Sequence, residues 1–342
     1  MYLKKNLKNL LNKTVMHYGY EIIDSSKIYD WQRLSKSGPS YNNKSMLPEG
    51  AKDYLQINNP KLIGLQKRYS VFNNEIHKPL MWKNDNLRTE DILYFRGDNA
   101  YVWQLRGPNM NILSYALSAY YLMAIDKLEL FSKLFEDDFF GNYTFNMANK
   151  LVSRDLLDSI IEIYFLERHL NISSPSKRLN ILDIGAGYGR LAHRFPYAIP
   201  NLKHYFCTDG VALSTFISDY YLHFRKLEDR VCVIPLDEIE DTLTSHPIDI
   251  ALNIHSFSEC RTSAIEWWLC LLAKYEIKHL MIVPDSFKNG GKLLLTKDQK
   301  DFKEIVEKHG YKLVVKEPKY CDPVVQKYGI NPTYHYLFEF HS

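Results

Sequence analysis

The alternation of apolar and polar positions divides the chain into two unlike parts. From about residue 151 onward, short apolar runs rich in β-branched residues recur between stretches of helical period. The runs are Asn180–Ile184, His204–Thr208, Arg230–Ile234, Ile248–Asn253, His279–Val283, Tyr311–Lys316 and Tyr334–Phe340. Continuous apolar runs of this length, bounded by turn residues, fit strands buried on both faces. Val211–Phe224, Thr262–Lys274 and Lys297–His309 carry the 3.6-residue period and read as crossover helices. Ahead of the first run, Ser153 is a candidate N-cap for a helix whose stripe is Leu156, Leu157, Ile160, Ile161 and Tyr164. No helix is expected between the last two strands. The pattern predicts an α/β fold with a doubly wound, mostly parallel seven-stranded sheet whose last strand is antiparallel.

Residues 1–150 read as a mainly helical region and 151–342 as the sheet-bearing domain. Leu3, Leu7, Leu10, Leu11 and Val15 share a face of an amphipathic segment at 2–16, with Lys4, Lys5, Lys8 and Lys13 beside it. Such a segment can lie on a membrane surface, dock a partner or pack on its own domain. Residues 36–60 read as a loop with a short helix at 51–56, and 60–69 as another helix. A long helix is expected over 111–135, ending in the acidic turn Glu136-Asp-Asp-Phe-Phe-Gly141. Adjacent carboxylates on a turn rarely converge on one ion, so these acids are expected to be solvated or to face a helix dipole.

Composition narrows the class. The chain has 342 residues, 46% hydrophobic and 24% charged, with a net charge of +3. That is an ordinary globular balance with no electrostatic case for nucleic acid. Five cysteines, odd in number and without a C-x-x-C pair, speak against a disulfide framework or a zinc site and for a reducing compartment. The N-terminus lacks the apolar core of a signal peptide, and the run 112–125 is too short to span a bilayer. A cytoplasmic location is the expectation.

The candidate chemistry centres on Ile181-Leu-Asp-Ile-Gly-Ala-Gly-Tyr-Gly-Arg-Leu191, a strand, a glycine turn and a helix start. The dinucleotide fingerprint G-x-G-x-x-G would need glycine where Arg190 stands, which disfavours a nicotinamide dehydrogenase, and no P-loop lysine follows. Asp183-Ile-Gly-Ala-Gly-Tyr-Gly189 resembles the first motif of class I S-adenosylmethionine (SAM) methyltransferases, a Rossmann-like family. There the strand-end acid contacts the methionine end of the cofactor and the glycines border it. The resemblance implies Asp183, Gly185, Ala186, Gly187 and Tyr188 as cofactor residues. Ligands of such sheets bind outside the strands' carboxyl ends, which gathers Asp209, Asp237, Asn253, His255, Glu259 and Asp285 at the same edge. Asp209, followed by Gly210, can accept both hydroxyls of a ribose. Asp237 can meet the adenine edge or cap a helix. His255 can act as a base toward an acceptor hydroxyl, or sit buried and neutral against loop carbonyls. Glu259, a helical turn onward, can orient it or be the base itself. Asp285, Glu259 and Asp209 could offer oxygens to a metal, but nothing in their spacing demands one.

Tyr94-Phe-Arg-Gly-Asp-Asn-Ala-Tyr-Val-Trp-Gln-Leu-Arg106 mixes aromatics with charge. Tyr101 or Trp103 can stack on a ring while Arg96 or Asp98 hydrogen-bonds, or an Arg–Asp pair can order the loop. Taken with Asp183–Arg190, the segments Phe95–Asn99, Ser153–Ser159 and Asn253–Glu259 resemble the bacterial sugar O-methyltransferase family, from about residue 50 to the end. That resemblance implies SAM-dependent methylation of a sugar hydroxyl, on a nucleotide sugar or a surface polysaccharide precursor, with the helical N-terminal part covering the acceptor. The basic segment 2–16 could then bring the protein to a membrane-linked glycan. Alternatives are another small-molecule acceptor, an RNA, or a non-catalytic SAM-binding module.

Overall fold

Nine strands are present among the described residues. The computed structural model describes residues 46–72, 89–99, 104, 109–147, 150–286 and 289–341, with 11, 14, 15, 17 and 18. The segment 2–16 therefore lies mostly outside the described residues, as do Tyr101, Trp103 and Arg106 entirely. Strands β1 (Phe145–Met147) and β2 (Lys150–Val152) form an antiparallel hairpin that the sequence pattern did not announce. The remaining strands are β3 (Leu179–Ile184), β4 (Leu202–Thr208), β5 (Val231–Val233), β6 (Ile250–Ile254), β7 (His279–Val283), β8 (Tyr311–Pro318) and β9 (Tyr334–Phe340). They form one seven-stranded sheet in the order β5-β4-β3-β6-β7-β9-β8. β9 runs antiparallel to both neighbours, and the other pairs are parallel. The expected α/β architecture, with an antiparallel last strand, is what forms.

β3 is buried along its whole length and lies third in the order, with Asp183 in register with Cys207 of β4 and Leu252 of β6. The order reverses beside it, because β4 lies on one side and β6 on the other. That switch point opens a crevice at the carboxyl edge of the sheet. Ser153 caps the Arg154–Leu170 helix by accepting from Leu156 N at 3.0 Å, and Asn171 ends it in the left-handed region. The helix buries Leu156, Leu157, Ile160, Ile161 and Tyr164 as expected.

Some helices are shorter than their pattern. The expected 111–135 helix stops at Ile125, because the Asp126 carboxylate accepts from Leu130 N and Phe131 N and starts a separate turn at Leu130–Lys133. The expected 297–309 helix is confined to Lys303–Lys308. Ahead of it, the Thr296 hydroxyl bonds Asp298 and accepts from Lys300 N, competing with helical pairing and folding residues 295–301 into a closed turn. A helix does lie between the last two strands, Pro323–Tyr328, capped by Asp322 and begun by proline.

The acidic turn is corrected most. Glu136 is buried, not solvated: Arg96 Nη2 meets its Oε1 at 2.5 Å and Arg194 Nη2 its Oε2 at 2.6 Å. Asp137 holds Arg96 at 2.6 Å and Arg225 at 2.5 Å. The Ser153 hydroxyl also donates to Glu136. This ion network joins the 89–147 region to the sheet domain, and buried apolar residues of both parts belong to one core.

Candidate active site

The glycine loop is shaped by what surrounds it. Gly185 has φ +74°, and a Cβ there would lie 2.1 Å from Ser256 Oγ. Only glycine lets the turn after β3 pass the turn after β6 at that distance. A Cβ on Gly187 would meet open space, so the backbone is bare toward the crevice. Gly185 N and Ala186 N bond Thr208 O at 2.8 and 3.2 Å, which fastens the loop to the end of β4.

Asp183 and Asp209 stand at the ends of adjacent strands. Asp183 is buried and accepts the Tyr205 hydroxyl at 2.8 Å. Burial pushes its carboxyl up to about 6, against the Tyr205 bond and the Arg190 charge. Asp209 accepts Gly187 N at 3.1 Å and Val211 N at 2.8 Å, so its side chain spans the loop and the next helix start. Burial pushes Asp209 up to about 7 despite those two bonds. Gly210 follows in the bend. Beside Asp209 lies a narrow crevice, lined among others by Ala186, Gly187, Thr208 and Thr215. The Thr208 hydroxyl is buried on that wall with no hydrogen-bond partner among the described residues. An orphaned buried hydroxyl facing a crevice is the kind of group a ligand satisfies.

Three expected cofactor residues are otherwise engaged. Tyr188 is buried and its hydroxyl donates to Asp155, away from the crevice. Asp237 is clamped by Arg68, with Nε–Oδ2 2.7 Å and Nη2–Oδ1 2.8 Å. Beside it the Tyr69 hydroxyl takes Leu236 N at 2.9 Å and meets Thr215 Oγ1 at 2.8 Å, which draws the Pro60–Tyr69 helix over this end of the site. Asn253 is fully buried and builds the loop: its amide donates to Ile184 O and Ser256 Oγ and its carbonyl accepts Phe257 N. Arg190, where a dinucleotide loop needs glycine, pairs with Glu162 through one nitrogen at 2.8 and 2.9 Å.

His255 ends β6 in the left-handed region, φ +65°, with its N–H held by Val283 O at 2.7 Å. A non-glycine residue there costs about 1 kcal/mol or more, a strain that packing must hold. The carboxylate beside its ring is that of Asp285, Nδ1 to Oδ1 3.6 Å. Glu259 sits at the end of the Ser256–Glu259 helix, partly exposed. Burial pushes the His255 imidazole down to about 4, with Asp285 opposing. The ring is therefore neutral near pH 7 and able to accept a proton. Next to Asp285 opens a small cleft of about 10 Å³, lined among others by Ser258, Asn289, Thr296, Lys297 and Gln299.

Of the expected acceptor contacts, Arg96 is fully buried and spent on Glu136 and Asp137, the loop-ordering alternative. Asp98 accepts Gln104 N at 2.8 Å within the same loop. Among the described residues no cluster of three or more His, Cys, Asp or Glu side chains is arranged to hold a metal ion, and no helix is long and apolar enough to cross a membrane.

No protein-family model and no curated protein matches the chain. Solved structures are similar to about half of the chain. Mitomycin 7-O-methyltransferase is 15% identical over 55% of this chain and 56% of its own, with a TM-score of 0.38. The chain thus spans little more than half the length of that enzyme. A SAM-dependent methyltransferase from Clostridium acetobutylicum is 11% identical over 54% and 91%, TM-score 0.38. Magnesium protoporphyrin IX methyltransferase from Synechocystis, with bound SAM, is 12% identical over 54% and 77%, TM-score 0.35.

Proposed function

We propose that this protein is a SAM-dependent O-methyltransferase acting on a hydroxyl of a sugar or glycan precursor, with residues 1–150 covering the acceptor. The observation that carries the cofactor reading is the bare glycine loop tied to Asp209, beside the orphaned Thr208 hydroxyl. SAM would supply an activated methyl group whose sulfur leaves neutral, so no acid is required. Asp209, raised by burial, can turn to share its proton or charge with ribose hydroxyls. Asp183 lies one strand over for the amino-acid end. Gly187, bare toward the crevice, admits a ligand close to the backbone, and Gly185 lets the loop pass Ser256.

The acceptor hydroxyl must lose its proton as its oxygen bonds the methyl carbon and the carbon–sulfur bond breaks. His255 is neutral and near that edge, so its imidazole can take the proton. The polar wall of Asn289, Thr296, Lys297 and Gln299 suits a hydroxyl-rich acceptor. The sugar class itself rests on the resemblance of the sequence segments quoted above.

Calorimetric titration with S-adenosylhomocysteine tests the cofactor step. One-to-one binding is expected, with thermal stabilisation of about 2.7 kcal/mol at a hundred times Kd. Folded, ligand-free protein that does not bind would sink the reading. Methyl transfer from labelled SAM onto a panel of nucleotide sugars and glycan precursors tests the acceptor. His255→Ala should keep S-adenosylhomocysteine affinity and lose about 10²–10⁴-fold in rate.

A further inference from the structure

We infer that Asp285, not Glu259, is the positioning residue of His255, and that Lys297 shares its carboxylate and tunes the pair. The inference rests on the reading of His255 as the base. Two neighbouring parallel strands build the arrangement. β6 delivers His255 and β7 delivers Asp285, and the bond from His255 N to Val283 O fixes one strand end against the other. Asp285 Oδ1 lies 3.6 Å from His255 Nδ1, and Oδ2 lies 3.3 Å from Lys297 Nζ. Ser258 locks both partners of that pair: its hydroxyl accepts Asp285 N at 3.1 Å and its carbonyl accepts Lys297 N at 2.8 Å. His255 Nδ1 is buried and makes no hydrogen bond of ordinary length, so the Asp285 oxygen is its natural partner once a ligand tightens the site.

An Nδ1–H pointed at a carboxylate leaves Nε2 as the bare, proton-accepting nitrogen and stabilises the imidazolium that forms. Lys297 draws on the same carboxylate and weakens that stabilisation. The other charged or titratable groups acting across this space are Arg154 and Asp158 of the Arg154–Leu170 helix, Arg190 after the glycine loop, and His335 of β9. All stay in place when Asp285 or Lys297 is changed, so the comparison isolates the pair.

The test uses the full chain labelled with ¹⁵N-histidine, with two-bond proton–nitrogen correlation spectra reporting the tautomer. The His255 signals are identified by their loss in His255→Asn. The expected result is the Nδ1–H tautomer in the wild-type protein. That preference should be lost in Asp285→Ala and retained in Glu259→Gln. Lys297→Met should move the His255 titration midpoint up by about one pH unit, because an unshared carboxylate favours the charged ring more. Lys297→Met leaves Asp285 in place and keeps the test open if Asp285→Ala fails to fold. An Nε2–H tautomer in the wild type, a preference that survives Asp285→Ala, or one lost in Glu259→Gln would overturn the inference. An unchanged midpoint in Lys297→Met would overturn the role of Lys297. S-adenosylhomocysteine binding is measured on the same sample: its absence defeats the methyltransferase reading while leaving the tautomer result intact, and a missing tautomer preference with binding intact defeats only the pair.

Discussion

Replacing Glu136 with alanine should destabilise the protein strongly. The carboxylate has no exposed surface and meets two guanidiniums, Arg96 at 2.5 Å and Arg194 at 2.6 Å, both of them buried. It also accepts the Ser153 hydroxyl, which itself caps the Arg154–Leu170 helix. Removing it strips Arg194 of the carboxylate it pairs with and leaves Arg96 to Asp137 alone. Breaking a buried pair by deleting one partner costs about 3–5 kcal/mol, a large share of a total stability of about 5–15 kcal/mol. With a urea dependence of about 3 kcal/mol/M, the unfolding midpoint should fall by about 1–1.7 M. Circular dichroism and tryptophan fluorescence, followed together, would show whether the loss is cooperative. Replacing the set with apolar residues, Arg96→Met with Glu136→Leu and Arg194→Met, should recover part of the loss, because the two guanidiniums are then no longer buried without Glu136. A midpoint change for Glu136→Ala equivalent to less than about 1 kcal/mol would refute the idea that this network holds the two parts together.

Asp209→Asn should weaken S-adenosylhomocysteine binding at least tenfold in calorimetry. Its effect on the fold runs the other way. The Asp209 carboxyl sits at about 7 in the folded chain against 3.8 as reference, so the folded state binds the proton more tightly and stability is lost as pH rises through that window. The Asn variant should lose that pH dependence while giving up one of the two backbone bonds, since an amide nitrogen cannot accept; urea midpoints across pH read both effects. Asp137 gives the opposite slope. Burial alone would raise it, but Arg225 and Arg96 hold it at about 2 against 3.8, so its stabilisation is present above pH 4 and lost as pH falls toward 2. Asp137→Asn should flatten acid unfolding in that interval. Gly185→Ala places a Cβ on Ser256 and in a left-handed backbone, and should abolish cofactor binding while costing about 1–3 kcal/mol; full affinity in a folded variant would refute the close approach. Arg68→Ala frees a half-exposed pair and should cost under about 1 kcal/mol in thermal melting.

What could be read from the sequence was whatever a short window specifies. The strand–glycine–helix unit at 180–191, the Pro60–Tyr69 and Thr262–Lys274 helices and the Ser153 cap each depend on residues within a few positions of one another, and they stand where the pattern put them. What failed was pairing between distant segments. Asp137 is chosen by Arg225 and Asp237 by Arg68, and neither partner lies near in sequence. A charged turn looks solvated until the chain brings guanidiniums to it. The rule that loops gather at the carboxyl edge of the sheet brought Asp285 and His255 together, but not which acid would face the ring. Glu259 seemed closer because it is a helical turn away in the chain. In the fold, β7 lies directly beside β6, so a residue thirty positions on comes within 3.6 Å of the ring. The sheet order decides that choice, and it decides it for the site as a whole. β4 beside β3 carries Asp209 to the glycine loop, and β7 beside β6 carries Asp285 to His255. Exchanging acids along the chain at constant composition would therefore not preserve the site. Glu259→Gln should leave the His255 tautomer unmoved, whereas Asp285→Ala, farther away in sequence, should release it.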